Sequence, residues 1–158
     1  MHIAMTYLNQ GDKVLVPNPG YPTYTSAITL AGGVVTPYNL SAESGWLPDF
    51  DSIDTSDVKL MIINYPHMPT GAVATLENLQ TIVDFCRAHS ILLLNDNPYG
   101  FIRNSNPVSL LQVEGAMDIA MELNSLSKSH NMAGWRIGMV AADAQVISEI
   151  LKVKSQMD

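Results

Sequence analysis

Apolar residues occur along this chain in two patterns: short, nearly continuous runs and positions repeated at helical spacing. The run 58–63 is almost wholly apolar, which is typical of a strand buried on both faces of a parallel sheet. Thr75 can cap a helix whose apolar residues recur at helical spacing as far as Cys86. The same reasoning predicts further strands at 14–16, 34–35, 91–94, 118–123 and 136–141, and further helices at 2–9, 22–31 and 144–155. This alternation of helices and strands predicts an open α/β sheet.

Three of the predicted strands end in polar residues that can contact a ligand. Asn64, Asp96 and Ser125 lie within two residues of the ends of three apolar runs. In open α/β sheets, ligands bind in the crevice outside the carboxyl ends of the strands. We therefore expect these three side chains to line one crevice.

Composition and charge narrow the class of protein. The 158 residues are 47% hydrophobic and contain no linker or repeat, which predicts one folded domain. Fifteen acidic and eight basic residues give a net charge of −7, which disfavours a nucleic-acid partner because phosphate binding needs clustered Lys and Arg. The single cysteine, Cys86, is expected to be reduced and partly buried, which favours a cytoplasmic location. No signal peptide and no apolar stretch of the roughly 18 residues that span a bilayer is recognisable, so we expect no membrane partner.

The histidines do not indicate a metal site. His2, His67, His89 and His130 lack the spacing of zinc ligands, so surface or packing roles are expected. The sequence also lacks a paired-carboxylate, Ser-His-Asp or nucleotide-loop signature. Metal-dependent and hydrolytic functions are therefore set aside.

The segment 125–138 places one lysine, Lys128, among hydroxyls and glycines. A lysine amine is protonated near neutral pH, so covalent chemistry requires an environment that favours the neutral amine or an aldehyde that captures it. Arg136 offers a planar set of donors for phosphate oxygens, and the hydroxyls of Ser125 and Ser127 can also donate. The segment suits a phosphorylated aldehyde. Taken alone, it also fits a lysine and an arginine on a solvated loop.

Four segments together resemble the class I/II aminotransferases, which are fold-type I pyridoxal-phosphate enzymes. They are Pro-Gly-Tyr-Pro-Thr-Tyr at 19–24, Asn-Tyr-Pro-His-Met-Pro-Thr-Gly at 64–71, Asp-Asn-Pro-Tyr at 96–99, and Ser-Leu-Ser-Lys at 125–128 with Gly-Trp-Arg at 134–136. They follow the family's order over nearly the whole chain. The resemblance implies a three-layer α/β/α fold with a mostly parallel sheet, the large cofactor-binding domain of that family. The first and last segments are similar to those of aspartate or LL-diaminopimelate aminotransferases.

The resemblance also implies the cofactor, pyridoxal 5'-phosphate, and its catalytic contacts. Lys128 would bind the cofactor aldehyde as a Schiff base and then move a proton. Asp96 would pair with the pyridine nitrogen and preserve the ring as an electron sink. Tyr99 would form a hydrogen bond with the 3' oxygen.

The remaining implied contacts hold the ring and the phosphate. Tyr21 would stack on the pyridine ring, and Tyr24 would support Asp96 from behind. The phosphate would be bound by Ser125, Ser127 and Arg136. Without the resemblance, each of these residues also has an ordinary structural interpretation as a turn, cap or packed aromatic residue.

Met68 departs from the family pattern. Relatives usually carry an asparagine there, whose amide donates to the 3' oxygen, and methionine cannot donate. We therefore expect the Schiff base to keep its proton to a higher pH than in relatives with the amide. Asn64, four residues upstream, is a possible substitute donor. The resemblance also suggests a cis bond between Met68 and Pro69.

The resemblance covers only part of the family's usual length. We interpret residues 1–158 as one fragment of the large domain, without the N-terminal segment and the C-terminal small domain that complete the family's active site. The predicted function of the parent protein is pyridoxal-phosphate-dependent amino transfer between an amino acid and a 2-oxo acid, in a homodimer, with little activity in the fragment itself. A lyase or decarboxylase with the same cofactor is the first alternative. A noncatalytic interaction module of the same fold is the second.

Overall fold

In the computed structural model, which describes residues 1–102 and 104–157, six strands form one mostly parallel sheet. Along the chain they are β1 Lys13–Asn18, β2 Val34–Asn39, β3 Val58–Ile63, β4 Leu92–Asp96, β5 Ala120–Ser125 and β6 Gly138–Ala142. The strand order across the sheet is β2-β1-β3-β4-β5-β6. Every neighbouring pair is parallel except β5 and β6, which are antiparallel. The predicted α/β class is therefore confirmed.

Helices cover both faces of this sheet. They are α1 His2–Tyr7, α2 Thr23–Leu30, α3 Leu76–Ala88, α4 Leu126–Ser129 and α5 Ala144–Lys154. The start of α3 has the predicted cap, because Oγ1 of Thr75 accepts a hydrogen bond of 3.1 Å from the amide of Asn78. Among the described residues, no helix combines the length and the apolar character that a bilayer crossing needs.

Two hydrophobic clusters lie on opposite faces of the sheet because successive side chains of a strand point to opposite sides. Met61 and Ile63 of β3 belong to the cluster that packs against α3. Leu60 and Ile62 belong to the cluster that includes residues of α1, α2 and α5. Burial on both faces explains why β3 is almost wholly apolar. The arrangement is a helix, sheet and helix sandwich, as the resemblance implied.

Two strands are longer than predicted because they continue through proline. β2 runs through Pro37, and it tolerates the missing N–H because it is the edge strand. β1 runs through Pro17, which lies beyond Leu15, the last residue of β1 that pairs with β3. A strand end predicted from proline alone was therefore wrong at both positions.

Other boundaries differ because of local turns. α1 ends at Tyr7 instead of residue 9. β5 begins at Ala120 because Ala116–Asp118 forms a 3-10 turn. β6 begins at Gly138, since the backbone of Arg136 is left-handed, with φ of 54°.

Cys86 is fully buried, more deeply than predicted. Its Sγ lies 3.8 Å from Sδ of Met61 in β3. Burial raises the pKa of the Cys86 thiol to about 12, which makes thiolate chemistry unfavourable. This residue therefore packs the core under α3.

Candidate active site

A cleft of about 320 Å³ opens at the carboxyl ends of the central strands. The residues proposed from the sequence to bind or react all line it: Tyr21, Asp96, Tyr99, Ser125, Ser127, Lys128 and Arg136. Tyr24, Asn64, Met68, Pro98 and Ala133 complete the lining. Residues more than one hundred positions apart in sequence therefore meet at the edge where open α/β sheets bind ligands. The expected crevice of Asn64, Asp96 and Ser125 is present.

Asp96 is the last residue of β4, and its carboxylate is held from behind. Oη of Tyr24, in the first turn of α2, donates a hydrogen bond of 2.7 Å to Oδ2 of Asp96. Burial raises the pKa of Asp96, while this hydrogen bond lowers it in part. Burial and the nearby Asp96 carboxylate together raise the pKa of Tyr24 well above its ordinary value, so the phenol remains a donor. The cleft thus contains an oriented carboxylate whose ionised form is unfavourable in free energy unless a cation lies beside it.

Asn64 joins three parts of the site at the end of β3. Its Nδ2 donates to the carbonyl oxygen of Asp96, and its Oδ1 accepts a hydrogen bond of 2.8 Å from the amide of Met68. The side chain is 2% exposed. Its oxygen and one of its amide hydrogens are therefore used to brace neighbouring backbone. The sequence identified Asn64 as a lining residue but did not indicate this bracing contact.

Tyr21 lies at the end of a tight turn between β1 and α2. The Asn18–Pro19 bond in this turn is cis. A Cβ at Gly20 would collide with the carbonyl oxygen of Pro17, so only glycine fits there. Tyr21 is 45% exposed as a residue, and its ring meets the ring of Tyr24 edge to face, with centroids 5.7 Å apart. Its exposed area is available for stacking against a ligand in the cleft.

The loop that follows β3 carries Met68 into the cleft. The Met68–Pro69 bond is cis, which confirms the expectation from the resemblance, and the Tyr65–Pro66 bond is cis as well. His67, expected at the surface or in packing, is buried at 3% exposure. Its ring nitrogens contact Thr70 and the backbone of Pro19. No local pattern in the sequence indicates the contact with Pro19.

Ser125 ends β5 and begins α4. Its Oγ accepts a hydrogen bond of 3.1 Å from the amide of Ser127, which caps the short helix. Lys128, within this four-residue helix, is exposed and lines the cleft. The end of β5 therefore presents the amine of Lys128 and two hydroxyls to the same space.

Arg136 reaches this space because β6 returns antiparallel to β5. Gly138 pairs with Ser125, and the amide of Leu126 donates to the carbonyl oxygen of Ile137 at 3.2 Å. Nη1 of Arg136 also donates to the carbonyl oxygen of Ala133 at 3.1 Å. The sequence predicted a returning strand, but its antiparallel pairing is what brings residue 136 back beside residue 125.

The donor set defines the ligand that would fit. The amine of Lys128 can capture a carbonyl carbon, and the carboxylate of Asp96 can hold a cationic ring nitrogen. Hydroxyls and the guanidinium of Arg136 suit an anionic oxygen group. The cleft volume of about 320 Å³ is within the range of small-molecule sites. These residues fit a phosphorylated aromatic aldehyde.

Comparison with known proteins agrees with this fit. A family model for aminotransferase class I and II matches residues 1–157. The chain belongs to the aminotransferase class I and II family. The resemblance drawn from the four segments is thereby confirmed.

Several curated members of the aminotransferase class I and II family are similar in sequence. LL-diaminopimelate aminotransferase 2 of Trichormus variabilis is 43% identical over 159 residues, which cover 98% of this chain and 41% of the relative. LL-diaminopimelate aminotransferase of Aquifex aeolicus is 41% identical over 164 residues, which cover 99% of this chain and 42% of the relative. The chain thus spans about two fifths of the length of the curated relatives it matches.

Solved structures from this aminotransferase family share the fold. Substrate-bound BacF of Bacillus subtilis superposes with a TM-score of 0.95 at 39% identity, covering 99% of this chain and 41% of that one. The aspartate aminotransferase of Thermus thermophilus with maleate gives a TM-score of 0.89 at 29% identity, with the same coverage of each chain. The fold implied by the resemblance is confirmed. The roles of individual cleft residues stay predictions.

Proposed function

We propose that the whole protein carrying this chain is a pyridoxal-phosphate-dependent aminotransferase, and that the cleft binds its cofactor. The observation that carries the proposal is the pairing, in one cleft, of the Lys128 amine with a partly buried Asp96 carboxylate oriented by Tyr24. Aminotransferase family membership supports the same conclusion. When bound, pyridoxal 5'-phosphate supplies an aldehyde carbon and an electron-withdrawing ring.

Asp96 would act on the ring nitrogen. Burial raises the pKa of Asp96, and a protonated ring nitrogen beside it would favour the carboxylate again. The hydrogen bond from Tyr24 fixes which oxygen is turned away from the ligand. The carboxylate would thus keep a proton on the ring, which the electron-sink chemistry requires.

Lys128 would act first as the amine that binds the aldehyde carbon and then as the base and acid that moves a proton from the amino acid's Cα. Ser125, Ser127 and Arg136 would hold the phosphate, with Arg136 as the charged partner. These contacts would fix the reacting carbon within reach of the Lys128 nitrogen.

Tyr21 and Tyr99, which both line the cleft, would contact different parts of the ring. Tyr21 would stack on the ring, and Tyr99 would donate to the 3' oxygen. Met68 supplies no donor at the position where relatives carry an amide. Asn64 already uses its oxygen and one amide hydrogen on backbone partners, which leaves Tyr99 as the principal partner of that oxygen.

The substrates proposed are an amino acid and a 2-oxo acid. Relatives at 41 to 43% identity are named LL-diaminopimelate aminotransferases, which makes LL-diaminopimelate the first amino acid to assay. Assembly as a homodimer, a cytoplasmic location and the interpretation of residues 1–158 as one fragment of the large domain stay predictions.

The proposal is tested on the whole protein with pyridoxal 5'-phosphate. We expect a visible absorbance band that requires Lys128, and equal amounts of new 2-oxo acid and new amino acid when both substrates are supplied. Release of carbon dioxide or ammonia without a 2-oxo acceptor would favour the decarboxylase or lyase instead. Failure to bind the cofactor at millimolar concentration would leave only the interaction module.

A further inference from the structure

His67 is a buried side chain with both ring nitrogens in contact. Its Nδ1 lies 2.7 Å from Oγ1 of Thr70, and its Nε2 lies 3.2 Å from the carbonyl oxygen of Pro19. A carbonyl oxygen only accepts, so Nε2 carries the hydrogen. Burial lowers the pKa of His67, which favours the neutral ring, so Nδ1 accepts from the Thr70 hydroxyl. The contacts therefore select one tautomer.

The imidazole joins two loops that both line the cleft. His67 itself is fixed, because its amide donates to the carbonyl oxygen of Ala72 and its carbonyl oxygen accepts from the amide of Gly71, each at 2.7 Å. Pro19 lies 48 positions earlier, in the turn that ends at Tyr21. A fixed loop after β3 thus holds the turn that carries the Tyr21 ring.

We infer that His67 is a positioning residue that sets the Tyr21 ring for stacking on the cofactor, through the hydrogen bond from Nε2 to the Pro19 carbonyl. This inference rests on the proposed function, because the stacking partner is the proposed cofactor. Tyr21 is also held on its helix side, where its carbonyl oxygen accepts from the amide of Tyr24 at 3.1 Å. The His67 contact holds the other side of the turn, so Pro19 and Tyr24 bracket residue 21.

Two substitutions separate the contacts of the two nitrogens. His67→Gln can place an amide nitrogen near the position of Nε2 and keep the donor to Pro19. His67→Asn can place its amide only near Nδ1, so it keeps the Thr70 contact and loses Pro19. We expect the dissociation constant of pyridoxal 5'-phosphate, measured by equilibrium dialysis, to rise about tenfold in His67→Asn and less than about twofold in His67→Gln.

A double-mutant cycle tests whether His67 acts through Tyr21. In a Tyr21→Ala background the stacking ring is gone, so His67→Asn should no longer change the cofactor dissociation constant. Thr70→Val serves as the matched control, because it removes the Nδ1 partner and leaves the Pro19 contact. It should lower the midpoint of thermal unfolding with less than about twofold change in cofactor affinity.

Other outcomes would overturn the inference. Equal cofactor loss in His67→Gln and His67→Asn, an undiminished effect in the Tyr21→Ala background, or loss of thermal stability alone would make His67 a packing residue. Failure of the wild type to bind cofactor would instead refute the proposed function. If the variants do not fold, nitrogen NMR of the cofactor-free wild type can identify the tautomer of the His67 ring. A hydrogen on Nδ1 instead of Nε2 would contradict the inferred contact with Pro19.

Discussion

Tyr24 donates a 2.7 Å hydrogen bond from Oη to Oδ2 of Asp96, and this contact ties the first turn of α2 to the end of β4. The two residues are 72 positions apart in sequence. The contact orients a partly buried carboxylate whose charge the surrounding protein does not fully compensate, since burial is the larger of the two effects on its pKa. Such a charged group is unfavourable without a cation beside it and favourable beside a cationic ring, as expected at a functional site.

Replacing Asp96 with asparagine should stabilise the cofactor-free protein at neutral pH. Burial raises the folded-state pKa of Asp96 above the ordinary value of 3.8. The protonated side chain therefore favours the folded state below pH 3.8, and this contribution to the free energy of unfolding is lost as pH rises through the raised pKa. Asparagine does not titrate and can still accept from Tyr24. The advantage of Asp96→Asn in urea unfolding should therefore be larger at pH 7 than at pH 4.

The same substitution should reduce amino transfer by about 10²- to 10³-fold, because a neutral amide cannot stabilise a protonated ring nitrogen. An advantage in stability that does not change between pH 4 and pH 7 would contradict the assignment of a raised pKa to Asp96.

Tyr24→Phe should weaken cofactor binding. The hydrogen bond from Tyr24 lowers the pKa of Asp96, so its loss should favour the neutral acid and raise the cofactor dissociation constant about tenfold. Equilibrium dialysis measures this change. Tyr7→Phe is the matched control, since its Oη donates to the carbonyl oxygen of Val146 at 3.4 Å, away from the cleft. Equal effects in the two variants would show that Tyr24 acts only on stability.

Lys128→Ala should abolish the visible band that forms when the cofactor binds covalently. The rate of amino transfer should fall by about 10²- to 10⁴-fold, because the same nitrogen moves the proton. Lys152→Ala is the control, because Lys152 is an exposed lysine whose partner is Glu149. Persistence of the band in Lys128→Ala would assign the covalent contact to another amine.

Met68→Asn should restore a donor to the 3' oxygen. We therefore expect the pH midpoint of the visible-band transition to be lower in Met68→Asn than in the wild type, as measured by spectroscopic titration. Met68→Leu, which also lacks a donor, should keep the wild-type midpoint. Equal midpoints in the wild type and Met68→Asn would remove the role assigned to this position.

Local sequence pattern predicted several elements closely. The almost wholly apolar run of β3 predicted the observed bounds, Val58–Ile63, and the cap and apolar spacing of α3 predicted its observed start at Leu76. The cap at Thr75 was also recognised, because it depends on residues three positions apart. The strand ends predicted at Pro17 and Pro37 were wrong, because a strand can contain proline wherever no neighbouring strand needs the missing amide hydrogen.

The candidate site was predicted partly from residue pattern and mainly from family resemblance. Pattern placed Asn64, Asp96 and Ser125 at the ends of strands that share one edge of the sheet. Pattern also proposed Lys128 and Arg136 as partners of a phosphorylated aldehyde, and the resemblance added Tyr21 and Tyr99 and named the cofactor. The contacts of Asn64 and His67 with distant backbone were not predicted, since neither depends on residues nearby in the sequence.

Residue type and local spacing were enough to predict the alternation of helices and strands, the buried character of β3 and the chemistry of the reactive side chains. These features depend on which residues are present and on how neighbouring residues are spaced. Only the folded chain shows that Tyr24 contacts Asp96, that His67 contacts Pro19, and that β6 returns antiparallel and brings Arg136 beside Ser125. Contacts between residues far apart in the chain depend on strand order and register, which are fixed only when both faces of the sheet are packed.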